Sequence, residues 1–193
     1  MIFLKFEKFI ICGEDRDSLG NIKNALVSNG YIYIGYAKES YSILRHIRSH
    51  APDLVIIDIS KKFSELKKVL EVINEELLCT CILLMDIKND EAIEFVKKTS
   101  IMTYLVKPIY NEILLQIVEL THTNFQRIME YEEKIKKLNN TIENRKTLEK
   151  AKWILVEQKK ITEAEAYEWI KKKSRDNRKP MVEIADAIIL TNA

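Results

Sequence analysis

The chain has 193 residues, 47% hydrophobic and 31% charged, with 31 Lys or Arg against 29 Asp or Glu. That balance describes one or two folded domains and excludes a disordered or low-complexity chain. No run of 18 apolar residues offers a membrane span, and the charged start Met1-Ile2-Phe3-Leu4-Lys5-Phe6-Glu7-Lys8 does not suit a secretory signal core, so a cytoplasmic location is expected.

In chain order, Phe9-Ile10-Ile11-Cys12 reads as a buried strand. Ser18 to Asn29 reads as a helix with Leu19, Ile22, Ala25 and Leu26 on one face, closed by Asn29-Gly30. Tyr31 to Ala37 is β-branched and aromatic, and Ser40 to His50 is helical through Tyr41, Leu44, Ile47 and Arg48. Asp53-Leu54-Val55-Ile56-Ile57-Asp58 and Cys81-Ile82-Leu83-Leu84-Met85 are further buried-strand runs, and Met102-Thr103-Tyr104-Leu105-Val106 is a fifth strand before Lys107-Pro108. Phe63 to Leu77 and Asp90 to Thr99 are helices between them. Five strands alternating with helices predict a doubly wound α/β domain, flavodoxin-like, with a parallel sheet covered on both faces. Cys12, Cys79 and Cys81 fit reduced core thiols, and Cys79-Thr80-Cys81 lacks a second Cys or His pair at metal-ligand spacing.

From Asn111 to about Lys159 neither Gly nor Pro occurs. With Leu114 at heptad position a, the a/d series is Leu114, Ile117, Thr121, Asn124, Ile128, Tyr131, Ile135, Leu138, Ile142, Arg145. This predicts a coiled-coil seam and a homodimer, with packing on the helix's own chain as the alternative. A helix of that length spans roughly 70 Å, too long for one small domain. A compact all-α unit of three helices follows. Leu148, Ala151, Leu155 and Gln158 line the end of the long helix, Thr162 and Glu165 form a capping box, and Pro180 suits the first turn of the last helix. Ala166, Trp169, Ile170, Ile184, Ala185, Ile188 and Ile189 are expected to face its core. The predicted domains are 1–120, a coiled-coil linker over 111–147, and 146–193.

In an open parallel sheet, ligands bind beyond the carboxyl ends of the strands. Those ends carry Glu14 and Asp15 after the first strand, Asp58 after the third and Lys107 after the fifth. Converging carboxylates repel one another unless a cation neutralises them, and hard oxygen donors with room for water suit Mg²⁺. An Asp beside Mg²⁺ can attack a phosphoryl donor, and a nearby Lys can pair with the phosphoryl oxygens.

The stretches Ile10 to Asp15, Pro52 to Asp58 and Tyr104 to Pro108 resemble the receiver domain of two-component response regulators, over residues 8–120. That resemblance implies Asp58 as phospho-acceptor and a sensor histidine kinase as partner. It also implies Glu14, Asp15 and Asp58 as Mg²⁺ ligands with the Ser60 carbonyl, Lys107 as the phosphoryl-binding cation and Tyr104 as the aromatic switch. Two departures stand out. Met85 occupies the place where the family has Ser or Thr, and the loop Ile59-Ser60-Lys61-Lys62-Phe63-Ser64 has no Pro or Gly. A degenerate receiver serving only packing and dimerisation is the alternative.

Residues 171–179 hold six basic side chains (Lys171, Lys172, Lys173, Arg175, Arg178, Lys179) and one acid, Asp176. By composition this is equally a phosphate-binding footprint or a solubilising face. Tyr167 and Trp153 offer flat surfaces for unstacked bases, whereas Trp169 reads as core. The runs Leu148 to Leu155, Ile161 to Tyr167, Lys173 to Pro180 and Val182 to Ile189 resemble the ANTAR domain of transcription antiterminators, although Arg175 stands where that family usually has Met. The resemblance implies RNA contacts by Ala151, Lys152, Tyr167, Lys171, Lys172, Arg175, Arg178 and Lys179. The expected function is signal-responsive antitermination through paired hairpin loops of a nascent mRNA leader. A protein-interaction module that leaves nucleic acid alone is the alternative, and a DNA-binding tail ranks below both. His46, His50, His122 and the cysteines form no nucleophile–base set, so an enzyme is not expected.

Overall fold

The computed structural model describes residues 8–14, 19–60, 63–86 and 89–191. Five parallel strands, β1 (Lys8–Cys12), β2 (Ile32–Ala37), β3 (Leu54–Asp58), β4 (Thr80–Met85) and β5 (Met102–Val106), form one sheet in the order β2-β1-β3-β4-β5. Helices α1 (Gly20–Ser28), α2 (Ser40–His50), α3 (Phe63–Glu75) and α4 (Asp90–Lys97) alternate with the strands, as the sequence pattern predicts. Then come α5 (Asn111–Lys159), α6 (Glu163–Asn177) and α7 (Met181–Thr191). The chain divides into two compact units, Met1–Met129 and Glu130–Ala193, with α5 contributing to both.

In the first unit, β3 and β4 read as unbroken apolar runs because both faces of the sheet are covered. Alternate side chains leave on opposite sides. Ile10, Cys12, Val55, Ile57, Leu83 and Met85 enter one core with Ile47, Leu70 and Val96 from the helices. Phe9, Ile11, Leu54, Ile56, Ile82 and Leu84 enter the other with Leu26 of α1 and Leu114 and Val118 of α5. Asp58 pairs with Leu84, and Met85 with Val106, so β3, β4 and β5 end close together. Cys12, Cys79 and Cys81 are buried and unbridged. Burial pushes all three thiols up, Cys79 to about 12.

The heptad stripe of α5 has two different fates. Leu114 and Val118 are fully buried on the sheet, and Thr121 is 7% exposed, its hydroxyl donating to the Ile117 carbonyl at 2.6 Å. Phe125 and Ile128 also pack on the first unit. Of the positions read from sequence as the start of an interchain seam, Leu114 is buried in the core shared with α1, Thr121 is buried, and Ile128 is partly buried on the core of α2, α3 and α4. Val118 and Phe125 lie beside that a/d series. From Tyr131 to Ile142 the stripe is open, with Tyr131 61%, Ile135 49%, Leu138 62% and Ile142 50% exposed.

In the second unit one alanine from each helix, Ala151, Ala166 and Ala185, is fully buried. Their lack of bulk lets three short helices approach while Leu155, Ile170 and Ile188 fill the space around them. The capping box forms as predicted. The Glu165 amide donates to Thr162 Oγ1 at 3.3 Å, and Glu165 Oε2 accepts from the Thr162 amide at 2.8 Å. Pro180 stands just before α7, its carbonyl accepting from the Glu183 and Ile184 amides.

Both tryptophans of the chain, Trp153 and Trp169, lie in this unit, so their fluorescence reports on it within the full chain. Ala166→Leu is expected to overpack the helix junction and destabilise the unit by about 1–3 kcal/mol, read as a lower urea midpoint of tryptophan emission. Thr162→Ala is expected to lower the same midpoint by the equivalent of about 1 kcal/mol at pH 7. The Thr162 amide, and then its hydroxyl, hold the Glu165 carboxyl below its ordinary value of 4.5. A depressed carboxyl stabilises the folded chain above that ordinary value and loses this contribution as pH falls through the folded one. The gap between wild type and Thr162→Ala should therefore narrow in titrations below pH 4.5.

Candidate functional site

Asp58 closes β3 and is the junction of a short polar network. Its Oδ1 accepts from the Ser60 amide at 3.0 Å and from Ser60 Oγ at 2.6 Å. Its Oδ2 accepts from Lys107 Nζ at 2.6 Å. Lys107 follows β5, where its amide donates to the Met85 carbonyl, and the Lys107–Pro108 peptide is cis. Its Nζ also lies 2.9 Å from Asp86 Oδ1 and 3.4 Å from Ser60 Oγ. Burial by itself would pull the lysine pKa down, but hydrogen bonds to Asp58 and Asp86, joined by their charges, outweigh it and leave the ammonium above its ordinary value.

The network opens on a cavity of about 410 Å³ beyond the strand ends, also lined by Gly13, Glu14, Lys38 and Tyr41. Gly13 is there for want of room. A Cβ would come within 3.1 Å of Asp58 Cβ and 2.9 Å of Leu19 Cδ1. Its carbonyl accepts from the Tyr36 hydroxyl, which holds the end of β1 beside β2.

The structure brings Asp58, Lys107 and Glu14 to one cavity. Asp15, with Lys61 and Lys62, lies outside the described residues. Met85 is a correction. It is 1% exposed and faces the core with Ile57 and Leu83, so it is not the side chain that β4 offers to the cavity. Strand alternation puts the next residue, Asp86, on that side, opposite Lys107. Tyr104 is half-buried against the same core and is not among the described residues lining the cavity. Sequence reasoning missed Asp86 and the Ser60 hydroxyl. The parity of Asp58, two places beyond Ile56, was the available signal. Glu14 and Asp58 are hard oxygen donors of the kind Mg²⁺ takes, but among the described residues no group of three or more Asp, Glu, His or Cys is placed to hold a metal ion.

In the second unit, two expected RNA contacts are corrected. Ala151 is fully buried at the junction of the three helices and has no free surface. Lys152 is 8% exposed, and its Nζ lies 2.7 Å from Glu149 and 2.6 Å from Glu163, pinning α5 to the first turn of α6. Those two hydrogen bonds raise its pKa. The other expected contacts stand on the surface. Lys172, Arg175 and Arg178 are exposed on α6 and the turn after it, where Arg178 ends the helix in a left-handed conformation (φ 53°). Lys171 and Lys179 are paired with Glu168 and Glu183. Tyr167 is 42% exposed with Lys171 Nζ 6.0 Å from its ring centre, and Trp153 is 58% exposed. Trp169 packs partly into the core, with Lys159 and Lys173 over its ring at 5.3 and 5.7 Å.

Residues 136–189 match the family model of the ANTAR domain. Over 171 residues the chain is 26% identical to the transcriptional regulatory protein PdtaR of Mycobacterium tuberculosis, a match covering 89% of this chain and 83% of PdtaR. The first unit is similar in fold to the signal receiver domain of a modulated diguanylate cyclase from Desulfovibrio desulfuricans G20. That match has a TM-score of 0.56 at 17% identity, over 63% of this chain and 98% of that one. It is also similar to a CheY-like response regulator receiver domain protein from Methanospirillum hungatei JF-1, with a TM-score of 0.55 at 19% identity, over 64% and 98% of the two chains. The chain thus carries the fold of a response-regulator receiver, followed by an ANTAR domain at residues 136–189.

Proposed function

We propose that this chain is a signal-responsive regulator of transcription antitermination whose tail grips paired hairpin loops in nascent RNA. The observation that carries the reading is an ANTAR match over 136–189 that includes the exposed basic run 171–179. In the proposed complex, Lys171, Lys172, Arg175, Arg178 and Lys179 meet phosphates and Tyr167 stacks on an unpaired base. Arg175 and Arg178 also offer planar guanidinium forks to phosphate or base edges.

The input is the cavity around Asp58. In this reading Asp58 is the phospho-acceptor for a sensor histidine kinase, Lys107 pairs with the added oxygens, and Tyr104 on β5 responds through its packing. Glu14, Asp15 and Asp58 would hold Mg²⁺, which supplies charge neutralisation among the carboxylates. The output requires two copies. Ile135 and Ile142 at a and Leu138 at d favour a parallel two-stranded coiled coil. No described helix is long and apolar enough to cross a membrane. The proposed place of action is the cytoplasm.

A gel shift of the full chain on a two-hairpin RNA, across a salt series, tests this. Tight binding that weakens with salt is expected. Lys172→Gln, Arg175→Gln and Arg178→Gln together should reduce the log–log salt slope by roughly one for each phosphate that these side chains neutralise. Absence of binding to hairpin RNA at low ionic strength would overturn the reading and favour the protein-interaction alternative. Ile135→Asp with Leu138→Asp, at positions exposed in the single chain, should give a monomer by light scattering. It should also weaken binding to the two-hairpin RNA by about 10²-fold or more, while leaving affinity for a single hairpin unchanged.

A further inference from the structure

Asp86 takes no part in the proposed phosphoryl transfer, yet it is built into the network. It follows β4 directly, one step beyond the Met85–Val106 pair, and so lies level with Lys107 at the end of β5. Its Oδ1 is 2.9 Å from Lys107 Nζ, while Asp58 Oδ2 is 2.6 Å from the same nitrogen. An ammonium has three donors. Here they face Asp58, Asp86 and, at 3.4 Å, Ser60 Oγ. A phosphoryl group on Asp58 would bring nearly two negative charges and three acceptor oxygens to this place. Among the described residues, Lys107 is the cation in contact with Asp58, and Asp86 already engages it. A carboxylate also has no hydrogen to donate to a phosphoryl oxygen, and its charge has the same sign. The lysine is only part-exposed, with 27% of its side-chain surface open, so solvent does not freely replace either partner.

We propose that Asp86 is a resident stand-in for the phosphoryl group. It holds Lys107 as an oxygen of phosphorylated Asp58 would hold it, so the lysine contact is made in the unmodified chain and transfer to Asp58 is slowed. This rests on the reading of Asp58 as acceptor. The transfer itself needs a donor such as an acyl phosphate. A carboxylate oxygen of Asp58 forms the new O–P bond, the O–P bond of the donor breaks, and the bonding pair departs with the donor's carboxylate. Total charge is conserved and no proton moves. Asp86 enters only through its hold on Lys107 and its repulsion of the arriving group, which makes it a positioning residue and not a catalytic one.

The test uses the full chain with acetyl phosphate and Mg²⁺, followed over time by intact mass. It compares wild type, Asp86→Thr, Asp86→Asn and the blank Asp58→Asn/Asp86→Thr. Asp86 is 55% exposed, so neither replacement empties a core site. A second measurement without phosphodonor, trace acetylation of Lys107 read by peptide mass, reports the ion pair alone. The proposal expects Asp86→Thr and Asp86→Asn to gain one phosphoryl group about tenfold faster than wild type or more, the double variant to gain none, and Lys107 to acetylate several-fold faster once Asp86 is gone. Equal phosphorylation rates in wild type and both Asp86 variants would overturn the proposal and leave Asp58 as acceptor. Unchanged Lys107 acetylation would overturn it as well. If no variant takes up phosphate although Lys107 becomes more reactive, the acceptor reading itself falls, and the proposal with it.

Discussion

Leu114 and Val118 near the start of α5 and Ala151 and Leu155 near its end are all buried to 3% exposure or less, in two separate cores. Neither core is complete without its share of this helix. The sheet would leave Phe9, Ile11 and Leu84 open on one side, and α6 and α7 would have only each other to pack on. Two short helices bury too little apolar surface to offset the entropy of ordering them. The same helix therefore supports both folding units, and its backbone fixes which side chains remain for anything else. Between the cores, Ile135, Leu138 and Ile142 stand in the open, unpacked by any other described element.

Much of this was legible from residue pattern. Five apolar runs became five strands because parallel strands covered on both faces need no polar alternation. The Thr162–Glu165 cap was readable because its geometry is local, spanning one helical turn. What sequence could not divide was the heptad stripe. Leu114 and Ile135 look alike in a periodicity count, and only the position of the sheet decides that one is core and the other is not. Met85 was placed one step off, and Asp86, the next residue, was missed. A one-residue slip at a strand end exchanges core for solvent, and a motif match does not resolve it. Ala151 and Lys152 fell inside a stretch matched for its likeness to an RNA-binding family, yet one fills a helix crossing and the other ties α5 to Glu149 and Glu163. Likeness marks positions that matter without saying whether they matter for folding or for contact.

The two polar centres use charge differently. Around Asp58 the groups are half-enclosed and share partners, so a change at one is felt by the rest. Ser60 serves Asp58 with both amide and hydroxyl, and Lys107 serves two carboxylates at once. On α6 the cations are spread along an open surface, where individual ion pairs contribute little and counterions compete. The first arrangement suits discrimination between chemical states of one side chain. The second suits attraction of a polyanion whose sequence is read by other means.

The cysteines give the first unit a property of its own. All three lie there, buried and with their thiols pushed well toward the protonated form. Alkylating reagents and oxidants act on thiolates they can reach, so burial and the raised thiol pKa values slow both reactions in the folded first unit. Reaction at these buried sulfurs requires local opening of the first unit, and its rate then reports on that opening. The chain can be handled without reductant and without unwanted crosslinks for as long as that half stays closed.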